Sequence, residues 1–176
     1  MTFSIDVRDL LDQPGASRRI AIERAVAGLR TELAGVPVGT PVRVDLLLES
    51  VVAGILASGE LHGTFGLTCA RCLTGFDAPF HLQVQELFGP DVMPEDADGY
   101  PLGDGQIDLE PVIRDAVVLA MPYSPLCRSD CQGLCERCGG DRNLGGCTCQ
   151  PMPDVRWAPL ADLVIDDEAD VRSRSN

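Results

Sequence analysis

The chain has 176 residues, 45% of them apolar, and a formal charge of −13. This length supports one good core and a small appendage, and no apolar run reaches the length of a transmembrane span. The acidic balance disfavours tight, unspecific binding to phosphate backbones and favours basic protein partners.

The N-terminus has no basic segment followed by a long apolar run, so no secretory signal is expected. Residues 3–12, with Phe3, Ile5, Val7, Leu10 and Leu11, read as a short arm of one strand and a helical turn. Residues 18–33 are ambiguous: Ile20, Ile22, Val26, Leu29 and Leu33 partly fit a helical stripe, but β-branching is frequent. From Val42 the pattern alternates through Val44, Leu46 and Leu48. A glycine-punctuated segment with Ile55, Leu61, Phe65 and Leu67 follows, and alternation resumes from Phe76 to Phe88. Residues 89–106 form an acidic Pro/Gly loop. A helix is expected next, N-capped by Asp108, with Glu110 and Pro111 in its first turn and an end at Pro122. Its apolar face is Val112, Ile113, Ala116, Val117, Leu119 and Ala120. A short amphipathic patch (Trp157, Leu160, Leu163, Val164) and an acidic tail close the chain.

Eight cysteines carry the chemistry. Cys69-Ala-Arg-Cys72 lies between two predicted strands, and Cys127, Cys131, Cys135, Cys138, Cys147 and Cys149 follow the helix. Eight thiolates fill two tetrahedral zinc sites with none left over. A CxxC knuckle aims two sulfurs at one point, and a glycine after the second cysteine eases the turn, as at Gly139. Disulfides would require an oxidising compartment. The iron–sulfur run with proline after its last cysteine is absent, and Cys72 leads into a turn rather than the helix of a redox CxxC. Zinc is therefore the preferred reading. In chain order, Cys69 and Cys72 find their nearest partners in Cys127 and Cys131, leaving Cys135, Cys138, Cys147 and Cys149 as a self-contained loop. The rival arrangement puts Cys127 and Cys131 with Cys147 and Cys149 and couples the two knuckles. Two zinc ions are expected either way.

No lysine occurs, and all fourteen cations are arginine, a bias that a GC-rich genome explains. Arg71, Arg128, Arg137 and Arg142 lie inside the cysteine loops. A tetrathiolate zinc centre carries two negative charges, which nearby guanidinium groups offset. The alternative is a small basic face that makes a weak RNA contact. His62 and His81 read as ordinary strand residues. No phosphate loop or nucleophile–base constellation is present, so no enzymatic activity and no small-molecule substrate are expected.

Three segments together resemble a known family. They are Thr68-Cys69-Ala-Arg-Cys72-Leu-Thr-Gly-Phe, the helix from Ile107 to Pro122, and Leu126-Cys127-Arg-Ser-Asp-Cys131-Gln-Gly-Leu-Cys135-Glu-Arg-Cys138-Gly. They look like the YceD family of large ribosomal RNA subunit accumulation proteins, in its actinobacterial form. The resemblance spans most of residues 3–165. It implies a non-catalytic role in accumulation or maturation of large-subunit ribosomal RNA in the bacterial cytoplasm. Together with the acidic charge it points to a ribosomal protein or a pre-50S particle as partner, and no membrane contact is expected because no apolar run is long enough to span one. Shorter relatives of this family look as if they lack the second quartet, which by resemblance supports pairing Cys69 and Cys72 with Cys127 and Cys131. The competing reading is a metal or redox sensor that uses the second quartet as a labile site.

The expected fold is α+β: an antiparallel sheet or partly open barrel with a packed helix and a C-terminal cysteine-rich zinc module. The expected divisions are a β-rich domain at 1–126, the cysteine-rich module at 127–150 and the amphipathic segment with its tail at 151–176.

Overall fold

A computed structural model describes residues 3–11, 13–90, 92, 99–145, 147–149, 156, 157 and 160. The chain divides into two compact units, Met1–Leu134 and Cys135–Asn176.

The first unit is built on four long strands: β2 (Ser17–Ala25), β4 (Pro41–Val51), β5 (Gly54–Thr68) and β6 (Gly75–Gly89). Consecutive hairpins run antiparallel in the order β2-β4-β5-β6. Short pieces complete it: β1 (Ser4–Asp6), β3 (Ala34–Gly35), β7 (Tyr100–Pro101) and β8 (Gln106–Asp108). β7 joins β6 in parallel, β3 pairs with β5, and β1 and β8 form a separate two-stranded sheet. The architecture is a mostly antiparallel, mixed sheet with, among the described residues, one α-helix, α1 (Glu110–Ala120). The strand path is open at β2 and β7, so among the described residues the sheet does not close into a barrel.

Period-two alternation decides which face is buried. Val42, Val44, Leu46 and Leu48 of β4 point to the core, with Ile55, Leu61, Phe65 and Leu67 of β5 and Phe80, Val84 and Phe88 of β6. The arm contributes Phe3, Val7 and Leu10, and α1 contributes Val112, Ile113 and Val117. The ambiguous segment is a strand over residues 17–25, paired in register with β4 from Ser17↔Glu49 to Ala25↔Pro41. A ladder with β4 satisfies its backbone groups, so the helical spacing of its apolar residues goes unused.

The helix begins one residue later than expected. Leu109 occupies the N-cap position, and Asp108 instead accepts a hydrogen bond from the Glu110 N–H at 3.0 Å. Leu119, expected on the apolar face, is 85% exposed. The helix packs over a narrow stripe, and position 119 lies outside it. Positions 91 and 93–98 of the acidic loop and the end of the amphipathic patch, including Leu163 and Val164, lie outside the described residues, and the rest of the expected loop includes β7 and the first residue of β8.

Candidate metal centres

The first CxxC is the loop of the longest hairpin. β5 and β6 pair from Ile55↔Phe88 to Thr68↔Gly75, so residues 69–74 have six positions in which to reverse the chain. They do so with two backbone hydrogen bonds. The Leu73 N–H donates to the Cys69 carbonyl at 2.9 Å, and the Cys69 N–H to the Thr74 carbonyl at 2.9 Å. The second CxxC repeats the pattern: Gly139 N–H to Cys135 carbonyl at 2.8 Å, and Cys135 N–H to Gly140 carbonyl at 2.8 Å. The residue after the second cysteine is left-handed in both, at φ 60° for Leu73 and 69° for Gly139. The geometry thus requires the backbone that glycine supplies freely, and the first knuckle adopts it with leucine.

Cys127 and Cys131 arrive from the segment that follows α1. The Ala70 N–H donates to the Pro125 carbonyl at 2.8 Å, fixing the segment's entry. Its exit is held from both sides of Arg71: the guanidinium Nη1 donates to the Cys131 carbonyl at 2.8 Å, and the Leu134 N–H donates to the Arg71 carbonyl at 3.0 Å. Gly133 makes the second contact possible. Its φ is +73°, and a Cβ there would stand 2.9 Å from the Arg71 carbonyl oxygen.

The structure brings the cysteines together as Cys69, Cys72, Cys127 and Cys131, and as Cys135, Cys138, Cys147 and Cys149. The rival quartet of Cys127, Cys131, Cys147 and Cys149 does not form. All four sulfurs of each tetrad lie within 4.8 Å of one another. The distances from Cys69 to Cys131, Cys72 to Cys127 and Cys138 to Cys147 are 3.8, 3.6 and 3.7 Å. A tetrahedral zinc with Zn–S bonds of about 2.3 Å has its sulfurs about 3.8 Å apart, whereas a disulfide needs about 2.05 Å. All eight cysteines are free. The donor set and spacing therefore fit one tetrahedral ion per tetrad.

Within each tetrad the thiols are pushed in opposite directions. Backbone N–H groups of Cys127, Cys72 and Arg71 point at the Cys69 sulfur and hold its thiol down at about 6 despite burial. Cys127 is pushed up to about 12, first by burial and then by the neighbouring sulfurs. In the second tetrad the N–H groups of Cys138 and Arg137 lower Cys135 to about 6, while Cys138 and Cys147 push Cys149 up to about 12. The first knuckle thus favours the thiolate at Cys69 and also at Cys72, whose thiol is lowered first by its contact with the Thr74 side chain, and the second knuckle favours it at Cys135; four thiolates at one point would need a central cation. Arg142 supplies part of the balance, since its guanidinium is held charged chiefly by a hydrogen bond to the Cys135 sulfur.

The tetrads differ in exposure. Cys69 and Cys131 are 0% and 1% exposed, and Phe76, Leu126 and Leu134 pack around them. In the second tetrad Cys135 is buried, Cys138 is exposed, and Cys147 and Cys149 are half-buried.

One arrangement was not legible residue by residue. His62 and His81 are direct cross-strand partners and Glu60 faces Gln83. The imidazole rings stack with centroids 4.4 Å apart. The signal lay in the spacing, because paired positions of this hairpin lie equally far from the middle of the 69–74 loop.

Comparison with known proteins agrees with these elements. Residues 57–164 match the family described as "Large ribosomal RNA subunit accumulation protein YceD". The chain is 34% identical over 171 residues to an uncharacterized protein of Mycobacterium leprae, covering 92% of this chain and 77% of that one. A Mycobacterium tuberculosis protein is 32% identical over 168 residues, covering 92% and 81%. A maize protein named "Large ribosomal RNA subunit accumulation protein YCED homolog 1, chloroplastic" is 36% identical over 62 residues, 35% of this chain and 21% of that one. No solved structure matches the chain. With a matched span that takes in the knuckle hairpin, the helix and the cysteine run, the chain belongs to the YceD family, in its actinobacterial form.

Proposed function

We propose that this protein is a non-catalytic, zinc-binding accessory factor in large ribosomal subunit biogenesis, supporting accumulation or maturation of large-subunit ribosomal RNA in the bacterial cytoplasm. The observation that carries this reading is the match over residues 57–164 to a family named for accumulation of the large ribosomal RNA subunit. Cys69, Cys72, Cys127 and Cys131 would hold one zinc, and Cys135, Cys138, Cys147 and Cys149 the other. Four thiolates leave no open coordination position, so bound zinc supplies folding energy here rather than Lewis-acid chemistry. Arg142 is held by the Cys135 sulfur, Arg71 donates to the Cys131 carbonyl, and Arg128 lies 3.3 Å from Asp130, so three of the four arginines in the cysteine loops have partners within the chain. The strongly acidic remainder of the chain favours a basic ribosomal protein, or a pre-50S particle that presents one, over bare RNA.

The test is a sedimentation profile of a deletion strain, combined with recovery of the tagged protein and its partners. The expected result is a depleted mature large subunit with accumulated precursor, and pre-50S material on the tagged protein. A normal large-subunit peak overturns the proposal.

A second reading has one observation in its favour, the exposure of the second tetrad. There, two thiolates would pass two electrons to hydrogen peroxide, whose O–O bond breaks to give two waters with two protons from solvent, while an S–S bond forms and the ion is released. Zinc content under peroxide separates the readings: loss of one zinc that changes the ribosome profile supports a sensor, and loss without such a change does not.

A further inference from the structure

Glu60, His62 and His81 converge on the sheet face opposite the core. Glu60 and His62 are alternate residues of β5 and therefore share a face, and His81 lies directly across from His62 on β6. One oxygen of Glu60, Oε2, stands 3.2 Å from His62 Nε2 and 3.0 Å from His81 Nε2. The other, Oε1, accepts a hydrogen bond from Gln83 Nε2 at 2.7 Å. Gln83 thereby turns the carboxylate so that its free oxygen faces both imidazoles. All three candidate ligand atoms lie within 4.8 Å of one another.

We propose that Glu60, His62 and His81 form a third metal site, distinct in chemistry from the tetrads, that takes a borderline divalent cation such as Zn²⁺ or Ni²⁺. The donor set of two imidazoles and one carboxylate suits these ions. Metal–ligand bonds of about 2.0–2.2 Å place neighbouring ligand atoms roughly 3.0–3.6 Å apart, which matches the two distances from Glu60 Oε2. The ligands stand on two fully paired strands, so their backbone is held before any ion arrives. Three protein ligands leave positions for water. Glu60 and Gln83 also line a neighbouring groove of about 540 Å³ with Arg19, Asp45, Ser58 and Gly59. The trio is half-exposed, with side-chain exposures of 40–53%, so the site exchanges its ion with solvent while the buried tetrad does not.

The chain has only two histidines, so its imidazole NMR signals report on this site alone. Untagged full-length protein with its tetrads zinc-loaded is titrated with Ni²⁺. The expected result is saturable binding of one ion per chain, with paramagnetic broadening of both imidazoles together. His62→Gln, His81→Gln and Glu60→Gln each weaken Ni²⁺ affinity about tenfold or more. Gln83→Ala, which keeps every ligand, weakens it about tenfold by releasing the carboxylate. Zinc bound by the cysteines stays unchanged in all four variants. Unsaturable binding, broadening of one imidazole only, or no effect of Glu60→Gln would show a hydrogen-bonded trio and overturn the proposal.

Discussion

Leu73 holds a left-handed backbone at φ 60° while 60% of its surface remains exposed. A non-glycine residue in this region costs about 1–3 kcal/mol, which persists only because the knuckle over-determines the turn. Glycine removes that cost and gives back roughly 0.5–1 kcal/mol as unfolded-state entropy. Leu73→Gly is therefore expected to raise the stability of the metal-loaded protein by about 1 kcal/mol, measured by urea denaturation. The reverse change at the matching position, Gly139→Leu, should weaken metal retention at the second tetrad and leave the first intact. If Leu73→Gly is destabilising, the side chain has a packing role that its exposure does not suggest.

At the scale of elements, polar ties besides the core join the β segments to the helix region, and two of them matter most here. The first is Tyr100 on β7, whose hydroxyl donates to Asp115 Oδ2 on α1 at 2.8 Å. Burial, and then this hydrogen bond, raise the Tyr100 phenol above its ordinary value. The neutral form is favoured by folding, so its contribution is fully present below the unfolded phenol's pKa of about 10. It is lost as pH rises through the folded value. Tyr100→Phe should cost about 1 kcal/mol at neutral pH. The difference from wild type should shrink only above about pH 10, which melting curves across pH will show. The second tie is the first tetrad, which joins the β5–β6 loop to the segment after α1. Packing further along the same hairpin is close: a Cβ on Gly63 would fall 2.5 Å from the Phe80 ring, which itself stacks on Phe65 at 4.4 Å.

For the whole molecule, the two tetrads should behave differently on removal. Elemental analysis of protein purified without added metal is expected to find about two zinc ions per chain, since eight thiolates make two four-coordinate sites. A brown protein with iron and sulfide would refute this. Structural zinc in finger peptides contributes about 10–16 kcal/mol, comparable to the net stability of a domain, about 5–15 kcal/mol. Cys69→Ser or Cys72→Ser should therefore unfold the first unit, and Cys147→Ser or Cys149→Ser should lose one ion and leave that unit folded. Equal melting of the Cys69 and Cys147 variants would contradict the separation into two units. Charge makes a further whole-molecule prediction. Eight metal-bound thiolates and two dications take the formal charge from −13 to −17. Each phosphate neutralised on single-stranded RNA adds roughly −0.7 to the slope of log affinity against log salt. Arg71, Arg128, Arg137 and Arg142 together allow a slope of at most about −3. Binding to pre-50S particles without tight binding to a bare ribosomal RNA fragment is expected at physiological salt. Nanomolar binding of the bare fragment, abolished by reversing those arginines, would overturn it.

Local pattern by itself determined the strands from Val42 to Phe88, the helix near 110–120, the position of the first knuckle in a hairpin, and the supply of eight thiolates. These depend on near neighbours: alternation at period two, proline and glycine at element ends, and a CxxC that forms its own turn. The same locality left residues 18–33 open, because their apolar spacing suits either period until β4 offers a ladder. It also left open which cysteines meet. That depended on how the segment after α1 docks on the knuckle, through Arg71 and the close approach at Gly133, contacts between residues some sixty positions apart. The Glu60–His62–His81 cluster belongs with these. Each residue alone is an ordinary strand residue, and only the register of a long hairpin, set by tertiary pairing and the burial of its opposite face, makes them neighbours.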